Sequence, residues 1–409
     1  MKVLVVGSGG REHALCWALD RSPSVSDVVV VPGNDGMESS ARVIGGAGDE
    51  RGVRIVAEAE QPDLIVIGPE APLVAGWADA LRRDGFKVLG PGAEGARLEG
   101  SKRYAKEFMR RHGVPTADFA GFGDLDEALA HLERVGAPIV VKDSGLRAGK
   151  GVTVADTVEE ARTAVEAIFQ EPDAEVVLEE RLEGPELSVI LLVDANGHAA
   201  LPPSRDHKRL LDGGRGPNTG GMGAVAPVPL PPEELAALER QVVEPVMRGI
   251  RAEGIPYTGV LYVGVMRTPQ GFKVLEFNCR FGDPETQALM PLLETDAGEL
   301  FQAVAEDRLA EVPLRFAPGA AACVVMAAPG YPDSPKVGIP VTLPRALPEG
   351  TLLFSAGLHG KPLASKGGRV VNAVGLGATV AEAVRRAYQL VDAVGFEGAV
   401  FRRDIGAGM

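Results

Sequence analysis

Short runs of β-branched residues alternate with helical patterns through roughly the first ninety residues of this chain. Strands that alternate with helices along a chain pair in parallel, and the helices cover both faces of the sheet. We therefore predict an N-terminal doubly wound parallel sheet over residues 1–98. The runs that predict strands are Lys2 to Val6, Val28 to Val31, Leu64 to Ile67 and Lys87 to Leu89, and the clearest helical pattern is Trp77 to Arg83.

Each predicted strand runs into a loop of small or turn-forming residues, which is where open parallel sheets bind ligands. The first of these loops, Gly7 to Gly10, allows three interpretations. A nicotinamide-binding loop is disfavoured because Glu12 stands where the third glycine of that fingerprint would be. The loop is otherwise either a tight strand-to-helix turn or a glycine nest that holds a substrate phosphate at a helix N-terminus.

Composition and charge exclude several classes of protein. A chain of 409 residues has room for roughly two to four domains. Its net charge of -14 and pI near 5.1 oppose binding to nucleic acid or to a membrane surface. Cys16, Cys279 and Cys323 are scattered without metal-ligand spacing, which predicts a reduced protein without structural zinc. Because the first apolar run turns to glycine after Val6, it predicts a strand rather than a secretion signal, and we expect a soluble cytoplasmic protein.

The rest of the chain divides at two changes of pattern. A helix predicted from Ser101 opens a second unit, placed at residues 99–317, in which strands and helices surround a glycine loop between about 115 and 186. The last unit, residues 318–409, has strand patterns followed by a helix at Val380 to Val391. The expected fold class is multidomain, with α/β and α+β units, the last of them a small C-terminal α+β domain.

The segment Pro138 to Val154 predicts two strands joined by a glycine loop. It lacks the GxxxxGK[ST] spacing of a Walker A loop. Lys142 ends the first strand and Lys150 lies between Gly149 and Gly151, which suits a mobile flap that closes over a polyphosphate with backbone N–H groups and point charges. The alternative is that both lysines are ordinary solvated surface residues.

The segment Val176 to Glu186 predicts an apolar strand that runs into an acidic turn. Glu179 and Glu180 could be an ordinary strand end. The alternative is a nucleotide site, in which the main chain at Arg181 and Leu182 bonds the adenine edge and Glu186 accepts from ribose hydroxyls.

The segment Lys273 to Arg280 predicts a strand in which the period of two places Leu275 and Phe277 on one face. Glu276 and Asn278 would then share the other face, where two oxygen donors suit Mg²⁺ together with phosphate oxygens and water. The alternative is the solvent-facing polar side of an edge strand.

These three segments, in this order, resemble the ATP-grasp superfamily, and further strings narrow the resemblance to the glycinamide ribonucleotide synthetase family. The strings cover nearly the whole chain, so chance is a poor explanation. They are GSGGREH at 7–13, GPEAPL at 68–73, LEGSK at 98–102, DHKR at 206–209, GPNTGGMG at 216–223, EFNCRFGDPETQ at 276–287 and FRRDI at 401–405.

The resemblance implies central ATP-grasp domains with a mobile lid at about 115–186, and ligation of glycine to 5-phosphoribosylamine with release of ADP and phosphate. The γ-phosphoryl group would go to the glycine carboxylate, and the amine would attack the acyl phosphate. Catalysis would therefore rest on positioning and charge neutralisation. The resemblance also implies a role in de novo purine biosynthesis, Mg²⁺ or Mn²⁺ as cofactor, only small-molecule partners, and a monomer or weak homo-oligomer.

The same resemblance assigns roles to individual residues. Catalysis would involve Arg280, Lys142 and Lys150. ATP would be bound by Lys102, Lys142, Gly149, Lys150, Gly151, Glu179, Glu180, Arg181, Leu182 and Glu186. The other substrates would be bound by Gly9, Gly10, Glu70, Asp206, His207, Lys208, Asn218, Thr219, Gly220, Gly221 and Arg280, and the metal by Glu276 and Asn278.

Two alternatives stay open, and the chain departs from the family in places. One alternative is another ATP-grasp enzyme, such as a purine-pathway carboxylase or formate-using ligase, and the other is a nicotinamide-dependent dehydrogenase. Asp143-Ser144 stands where the family usually has Ala-Asp, and Arg181 replaces the usual aromatic residue. Val263 to Val265 stands where other ATP-grasp enzymes carry a second metal carboxylate, so a second ion would depend on phosphates and water.

Overall fold

The computed structural model describes residues 1–46, 48–147 and 151–409. The N-terminal unit consists of β1 Lys2–Gly7, α1 Gly10–Asp20, β2 Asp27–Pro32, β3 Arg42–Val43, α2 Glu50–Glu60, β4 Leu64–Ile67, α3 Glu70–Val74, α4 Trp77–Arg83, β5 Val88–Leu89 and α5 Ala93–Gly100. Its strands pair in parallel in the order β3-β2-β1-β4-β5. Because successive side chains point to opposite faces, Val3 and Val5 pack with α1 while Leu4 and Val6 pack with α2. The predicted doubly wound parallel sheet is confirmed.

A four-stranded antiparallel sheet follows, in the order β6-β9-β7-β8. Its segment comprises α6 Lys102–His112, β6 Phe119–Phe122, α7 Leu125–Val135, β7 Ile139–Asp143, β8 Val152–Ala155, α8 Val158–Ile168 and β9 Val176–Glu180. Val141 and Leu178 face α7 and α8 in a shared apolar core. The alternate residues of the same strands, among them Lys142 and Glu179, consequently face the other way.

A second antiparallel sheet has the order β11-β10-β16-β17. The segment contains β10 Glu186–Val193, β11 His198–Ala200, β12 Arg205–Asp206, β13 Arg209–Leu211, β14 Arg215–Asn218, β15 Gly223–Ala226, α9 Pro232–Leu238, α10 Glu244–Ala252, β16 Gly259–Thr268, β17 Gly271–Asn278, α11 Glu285–Leu289 and α12 Ala297–Ala305. A π-helical turn, Glu239–Val243, joins α9 to α10. Nowhere in the described residues is a helix both long and apolar enough to cross a membrane.

The C-terminal sheet includes two strands from earlier in the chain, β12 and β15. The last unit contributes β18 Ala320–Ala327, β19 Val341–Thr342, β20 Thr351–Ser355, β21 Leu358–His359, β22 Ala364–Ser365, β23 Arg369–Gly377, α13 Val380–Ala393 and β24 Gly395–Phe396. The main sheet has the order β12-β15-β18-β23-β20, with α13 packed on β18 and β23. The C-terminal domain is therefore joined to the residues around Asp206 by a continuous hydrogen-bonded sheet.

A β-bulge changes the predicted faces of β17. Gly264 pairs with Glu276 but Val265 pairs with Val274, so Leu275 is an extra residue without a partner on β16. Val274 and Phe277 enter the apolar core, whereas Leu275 is only half-buried. The prediction that Leu275 shares the buried face of Phe277 is therefore wrong, because a strict period of two does not survive an inserted residue.

His13 joins the N-terminal and C-terminal units. Its Nδ1 accepts a 2.7 Å hydrogen bond from the backbone N–H of Ser355, and its ring packs edge-on against Phe354. Burial lowers the pKa of His13 from 6.5 to about 4. The imidazole is therefore neutral at neutral pH, as an acceptor must be.

We predict that His13→Asn reduces the loss of folding stability between pH 7 and pH 4.5. Between pH 6.5 and about 4 the unfolded chain binds more protons at this residue than the folded chain. The contribution to the free energy of unfolding is thus complete above pH 6.5 and is lost as the pH falls through 4, by at most about 3 kcal/mol. Asn keeps an acceptor near the Nδ1 position. Urea midpoints at pH 7 and pH 4.5 should therefore differ less for the variant than for the wild type, and an equal difference would contradict this assignment.

Candidate active site

A cavity of about 870 Å³ lies where the three units of the fold meet. It is bounded by the carboxyl ends of β1 and β4, by the faces of β7 and β9 that turn away from α7 and α8, and by the end of β17. The structure thus brings most of the predicted site residues to one cleft. Those that line it are Gly9, Glu70, Lys102, Lys142, Gly151, Glu179, Glu180, Arg181, Leu182, Glu186, Asp206, Lys208, Asn218, Thr219, Gly220, Glu276, Asn278 and Arg280.

Glu276 and Asn278 both face this cleft from β17. The Glu276 carboxylate lies 3.1 Å from the Lys208 ammonium, which in turn lies 3.0 Å from Glu186. The charge of Lys208, aided by those of Lys142 and Lys102, lowers the pKa of Glu276 to about 2. An ionised carboxylate and a neighbouring amide oxygen are ligands of the kind a hard divalent cation takes. The Lys208 ammonium stands where such a cation would neutralise the same carboxylate.

The protein alone supplies few metal ligands here. In the parts of the chain that the structure describes, three or more His, Cys, Asp or Glu side chains nowhere converge as a metal cluster. A cation held by Glu276 and Asn278 would therefore need further oxygens, which nucleotide phosphates and water provide.

Lys142 belongs to a buried ion cluster that the sequence did not predict in full. Its ammonium and that of Lys106 each lie 2.9 Å from Oε2 of Glu179. Lys106 also donates to Thr116, and Lys142 to the backbone carbonyl of Leu275. Burial, and then the nearby charge of Lys142, lower the pKa of Lys106 to about 8. With two ammonium groups on one carboxylate, the cluster keeps a net positive charge toward the cleft.

Sequence reasoning missed Lys106, although a signal was present. Lys106 follows Lys102 by four residues on α6, which places both on one face of the helix. Lys102 donates to the carbonyl of Gly145 at 2.8 Å, and burial lowers its pKa. Helix α6 therefore presents two ammonium groups to the cleft.

The departure at Asp143-Ser144 has a structural role. Asp143 accepts from the backbone N–H of Gly145 at 2.9 Å and from Nε of Arg147 at 2.5 Å, so its carboxylate is engaged within the turn. Ser144 accepts from the backbone N–H groups of Lys102 and Arg103, at its carbonyl and hydroxyl oxygens respectively. The turn thereby binds the N-terminus of α6. Gly149 and Lys150, also predicted here, lie outside the described residues.

The predicted adenine segment, Glu180 to Leu182, lines the cleft at the end of β9. The Arg181 side chain turns outward to pair with Asp156 at 2.5 Å, and Glu180 pairs with Lys273 at 3.2 Å. With these side chains held elsewhere, the segment offers its main chain rather than its charged groups to a planar ligand.

Arg280 is fixed between two carboxylates. Its guanidinium lies 3.0 Å from Glu99 and 3.3 Å from Glu70. The second oxygen of Glu99 accepts from the backbone N–H of Cys279 at 2.7 Å. Although burial opposes it, these two carboxylates raise the pKa of Arg280, which stays charged. Glu99 was not predicted as a site residue, yet it was visible in the LEGSK string.

Asp206 and the Asn218 to Gly220 turn form another part of the cleft wall. Oδ1 of Asp206 is buried and has no hydrogen-bond partner within residues 1–46, 48–147 and 151–409. Burial, and then the charge of Glu285, raise the pKa of Asp206 well above its usual value. A buried acceptor without a donor is costly, so this oxygen is a place where a ligand donor would be stabilising.

His207 and Gly221, which were predicted to bind substrate, do not line the cleft. His207 follows Asp206 on the opposite face of the chain and accepts from the backbone N–H of Gly406 at 3.3 Å. Burial, and then the charge of Arg402, lower its pKa to about 4. Gly221 donates to the Thr219 hydroxyl at 3.0 Å and so supports the turn from behind.

The glycine nest predicted at Gly9 and Gly10 is occupied by the protein itself. The Gly9 N–H donates to the Glu12 carboxylate at 2.6 Å, and Arg11 donates to the same carboxylate, also at 2.6 Å. Gly10 does not line the cleft, because it packs against Asn372 of the C-terminal domain. A side chain from the first turn of α1 thus takes the position at the helix N-terminus that was predicted for a substrate phosphate.

Family models match three successive parts of the chain. Residues 1–99 match the phosphoribosylglycinamide synthetase N domain, residues 100–286 its ATP-grasp (A) domain, and residues 321–408 its C domain. A phosphoribosylamine–glycine ligase of a Nostoc species is 46% identical over 420 residues, covering 99% of each chain. Its counterpart from Mesorhizobium japonicum is 45% identical over 99% of this chain and 98% of its own.

Two solved structures have a similar fold. The crystal structure of phosphoribosylamine–glycine ligase from Thermotoga maritima superposes with a TM-score of 0.86 at 37% identity, covering 99% of this chain and 100% of that one. The biotin carboxylase domain of 2-oxoglutarate carboxylase from Hydrogenobacter thermophilus has a TM-score of 0.74 at 19% identity, covering 98% and 91%. The second likeness concerns the fold alone.

Proposed function

Because the chain belongs to the phosphoribosylglycinamide synthetase family, we propose that its cleft activates glycine as an acyl phosphate before ligating it to 5-phosphoribosylamine. The overall activity is that of an ADP-forming carbon–nitrogen ligase of purine biosynthesis. One observation supports the proposed route most. The charges of Lys208, Lys142 and Lys102 all act on Glu276, so cationic groups surround the place where a triphosphate and its cation would lie.

ATP binding is assigned to both sides of the cleft. Lys102 and Lys142 neutralise the phosphates, with Lys106 holding Glu179 so that Lys142 is not fully neutralised by it. The main chain at Arg181 and Leu182 receives the adenine edge, and Glu186 accepts from ribose hydroxyls. Roles for Gly149, Lys150 and Gly151 stay predictions from the sequence.

Mg²⁺, or Mn²⁺, fits the donor set of Glu276 and Asn278. When bound, such a cation neutralises charge on the transferring phosphoryl group. The part of the protein is then to hold both ligands on one strand end and to keep Glu276 ionised, which Lys208 favours in the structure. We propose that nucleotide binding turns Lys208 from Glu276 toward phosphate oxygens.

Glycine is placed between Arg280 and Asp206. The Arg280 guanidinium, fixed by Glu70 and Glu99, orients the glycine carboxylate and stabilises the oxyanion that forms when the amine attacks. The glycine ammonium donates to Oδ1 of Asp206, the buried acceptor that lacks a protein donor in the described residues. A cation at that oxygen would favour the ionised carboxylate, because opposite charges stabilise each other.

The phosphoribosylamine lies on the N-terminal side, next to Gly9 and Glu70. We propose that Glu70 binds the ribose hydroxyls. Because the N–H of Gly9 already donates to Glu12, the phosphate can bind this loop only if the Glu12 side chain moves. The purine-biosynthetic role and three buried cysteines without disulfides support a cytoplasmic enzyme. That it acts as a monomer or weak homo-oligomer stays a prediction from the sequence.

We expect ADP release to require ATP, a divalent cation, glycine and 5-phosphoribosylamine together. In a coupled assay, omission of either the amino acid or the amine should lower the rate to background, because the acyl phosphate forms and is consumed only in a closed site. Formate or bicarbonate in place of glycine tests the other ATP-grasp alternatives, and NADH titration tests the dehydrogenase alternative. ADP release with glycine and ammonia as fast as with the phosphoribosylamine would overturn the amine assignment.

A further inference from the structure

Arg369, at the start of β23 in the C-terminal domain, reaches the wall of the cleft. Its Nη1 lies 2.5 Å from the carbonyl oxygen of Gly220, 2.6 Å from that of Asp283 and 3.3 Å from that of Gly221. Its Nη2 lies 3.2 Å from the Asp283 carboxylate. One guanidinium therefore binds two segments at once, the Gly220–Gly221 turn and the loop that precedes α11.

A second group of the C-terminal domain holds the same turn. The hydroxyl of Tyr331 accepts from the backbone N–H of Gly220 at 3.0 Å. On the other side, the Thr219 hydroxyl donates to the carbonyl of Lys208 at 2.8 Å and accepts from Gly221. Both polar groups of the Gly220 backbone are thus bound by residues of the C-terminal domain.

The turn has no room for a side chain at either of its glycines. A Cβ atom added at Gly220 would lie 3.2 Å from Cζ of Arg369, and one added at Gly221 would lie 2.7 Å from Oδ1 of Asp206. Gly221 also has a φ of +108°, which disfavours any residue with a side chain. This part of the cleft wall is therefore backbone, and its hydrogen bonds to Arg369 and Tyr331 fix its position.

We propose that Arg369 is a specificity-determining positioning residue, through which the C-terminal domain holds the Thr219 to Gly221 wall close enough to accept glycine and to exclude alanine. The inference rests on the proposed function, since it takes this wall to face the amino acid. Arginine suits the task because its planar fork reaches several carbonyl oxygens in fixed geometry. A lysine ammonium would keep the charge near Asp283 but could not span both segments.

The test compares Arg369→Met, Arg369→Lys and Tyr331→Phe in the full-length enzyme with saturating ATP and 5-phosphoribosylamine. For Arg369→Met we expect KM for glycine to rise about 10- to 100-fold, because bonds to a charged donor are lost, while KM for ATP changes less than about twofold. The ratio of kcat/KM for glycine to that for alanine should fall at least about fivefold, out of the roughly 10- to 200-fold that one methyl group commonly provides. Arg369→Lys should be intermediate, and Tyr331→Phe should shift the ratio in the same direction.

Arg386→Met is the matched control. Arg386 also donates to a backbone carbonyl of the C-terminal domain, that of Leu376, but it lies away from the cleft. It should leave the glycine-to-alanine ratio unchanged, which separates wall positioning from a general loss of stability. If Arg369→Met does not fold, Tyr331→Phe decides.

An unchanged ratio in the active variants at both positions would overturn the inference and leave the proposed function intact. Failure of the proposed function has a different signature, which is the absence of ADP release by the wild type with glycine and 5-phosphoribosylamine.

Discussion

Replacing Glu276 with glutamine should leave less than about 1% of wild-type turnover at saturating magnesium, because loss of an ionised ligand removes several kcal/mol of charge stabilisation. The substitution keeps the size of the side chain and one oxygen. It removes the charge that the structure holds ionised, with a pKa of about 2 under the influence of Lys208. Folding should be preserved, since Glu276 lies on the cleft side of β17 and outside the apolar core that takes Val274 and Phe277.

The measurement is ADP release against magnesium concentration, with Glu239→Gln as control. Glu239 is also paired with a basic side chain, His198, but lies away from the cleft, so its variant should stay within about twofold of the wild type. If Glu276→Gln retained activity within a few fold at saturating magnesium, the metal assignment would be wrong.

The second large effect is expected for Arg280→Lys, which should lower kcat by about 100- to 1,000-fold, a range typical for loss of one oxyanion donor. Lysine keeps a positive charge near Glu99 and Glu70, so neither carboxylate is left without a counter-charge. Removing the charge altogether would confound the result, because a buried carboxylate left alone costs about 3–5 kcal/mol of stability. What lysine cannot reproduce is the forked geometry that holds substrate and carboxylates together.

Arg280→Lys should affect kcat more than KM for ATP, and its urea midpoint should stay near that of the wild type. Arg54→Lys, in a surface pair with Asp84, is the control for the chemical change itself. A variant that lost affinity for ATP but kept kcat would place Arg280 in nucleotide binding instead of at the reacting carboxylate.

Local patterns predicted the elements of this fold well. Leu64 to Ile67 and Trp77 to Arg83 have the predicted bounds, because the first is a continuous apolar run that ends at Gly68 and the second is a helical pattern that ends at Asp84. Lys142 and Glu276 could also be predicted as candidate site residues, because each is a charged residue in the last part of a largely apolar strand, and both line the cleft. The interpretation of β17 was wrong only at Leu275, where pairing with β16 rather than the strand's own sequence decides the register.

Apart from Lys106, the residues that sequence reasoning missed act across long separations in the sequence. Glu99 meets Arg280, and Arg369 meets Gly220 and Asp283, through contacts that no local period encodes. The phosphate site at Gly9 and Gly10 stays a prediction, because the N–H of Gly9 donates to the Glu12 carboxylate in this structure. A Gly-rich turn indicates that an anion is stabilised at the helix N-terminus. The pattern does not distinguish an anionic ligand from a nearby carboxylate such as that of Glu12.

The shared sheet also has a consequence for how the chain is made. Strands β12 and β15 leave the ribosome well before β18, their link to the rest of the C-terminal sheet, because about ninety-four residues separate Ala226 from Ala320. At a synthesis rate of about 5–20 residues per second, the edge of β15 stays unpaired for roughly 5–20 s before β18 is made. During that interval the Gly223–Ala226 edge is a site for pairing with other nascent chains. Chains that stop before residue 320 never acquire that neighbour, so premature termination should yield material prone to aggregate rather than a smaller working enzyme.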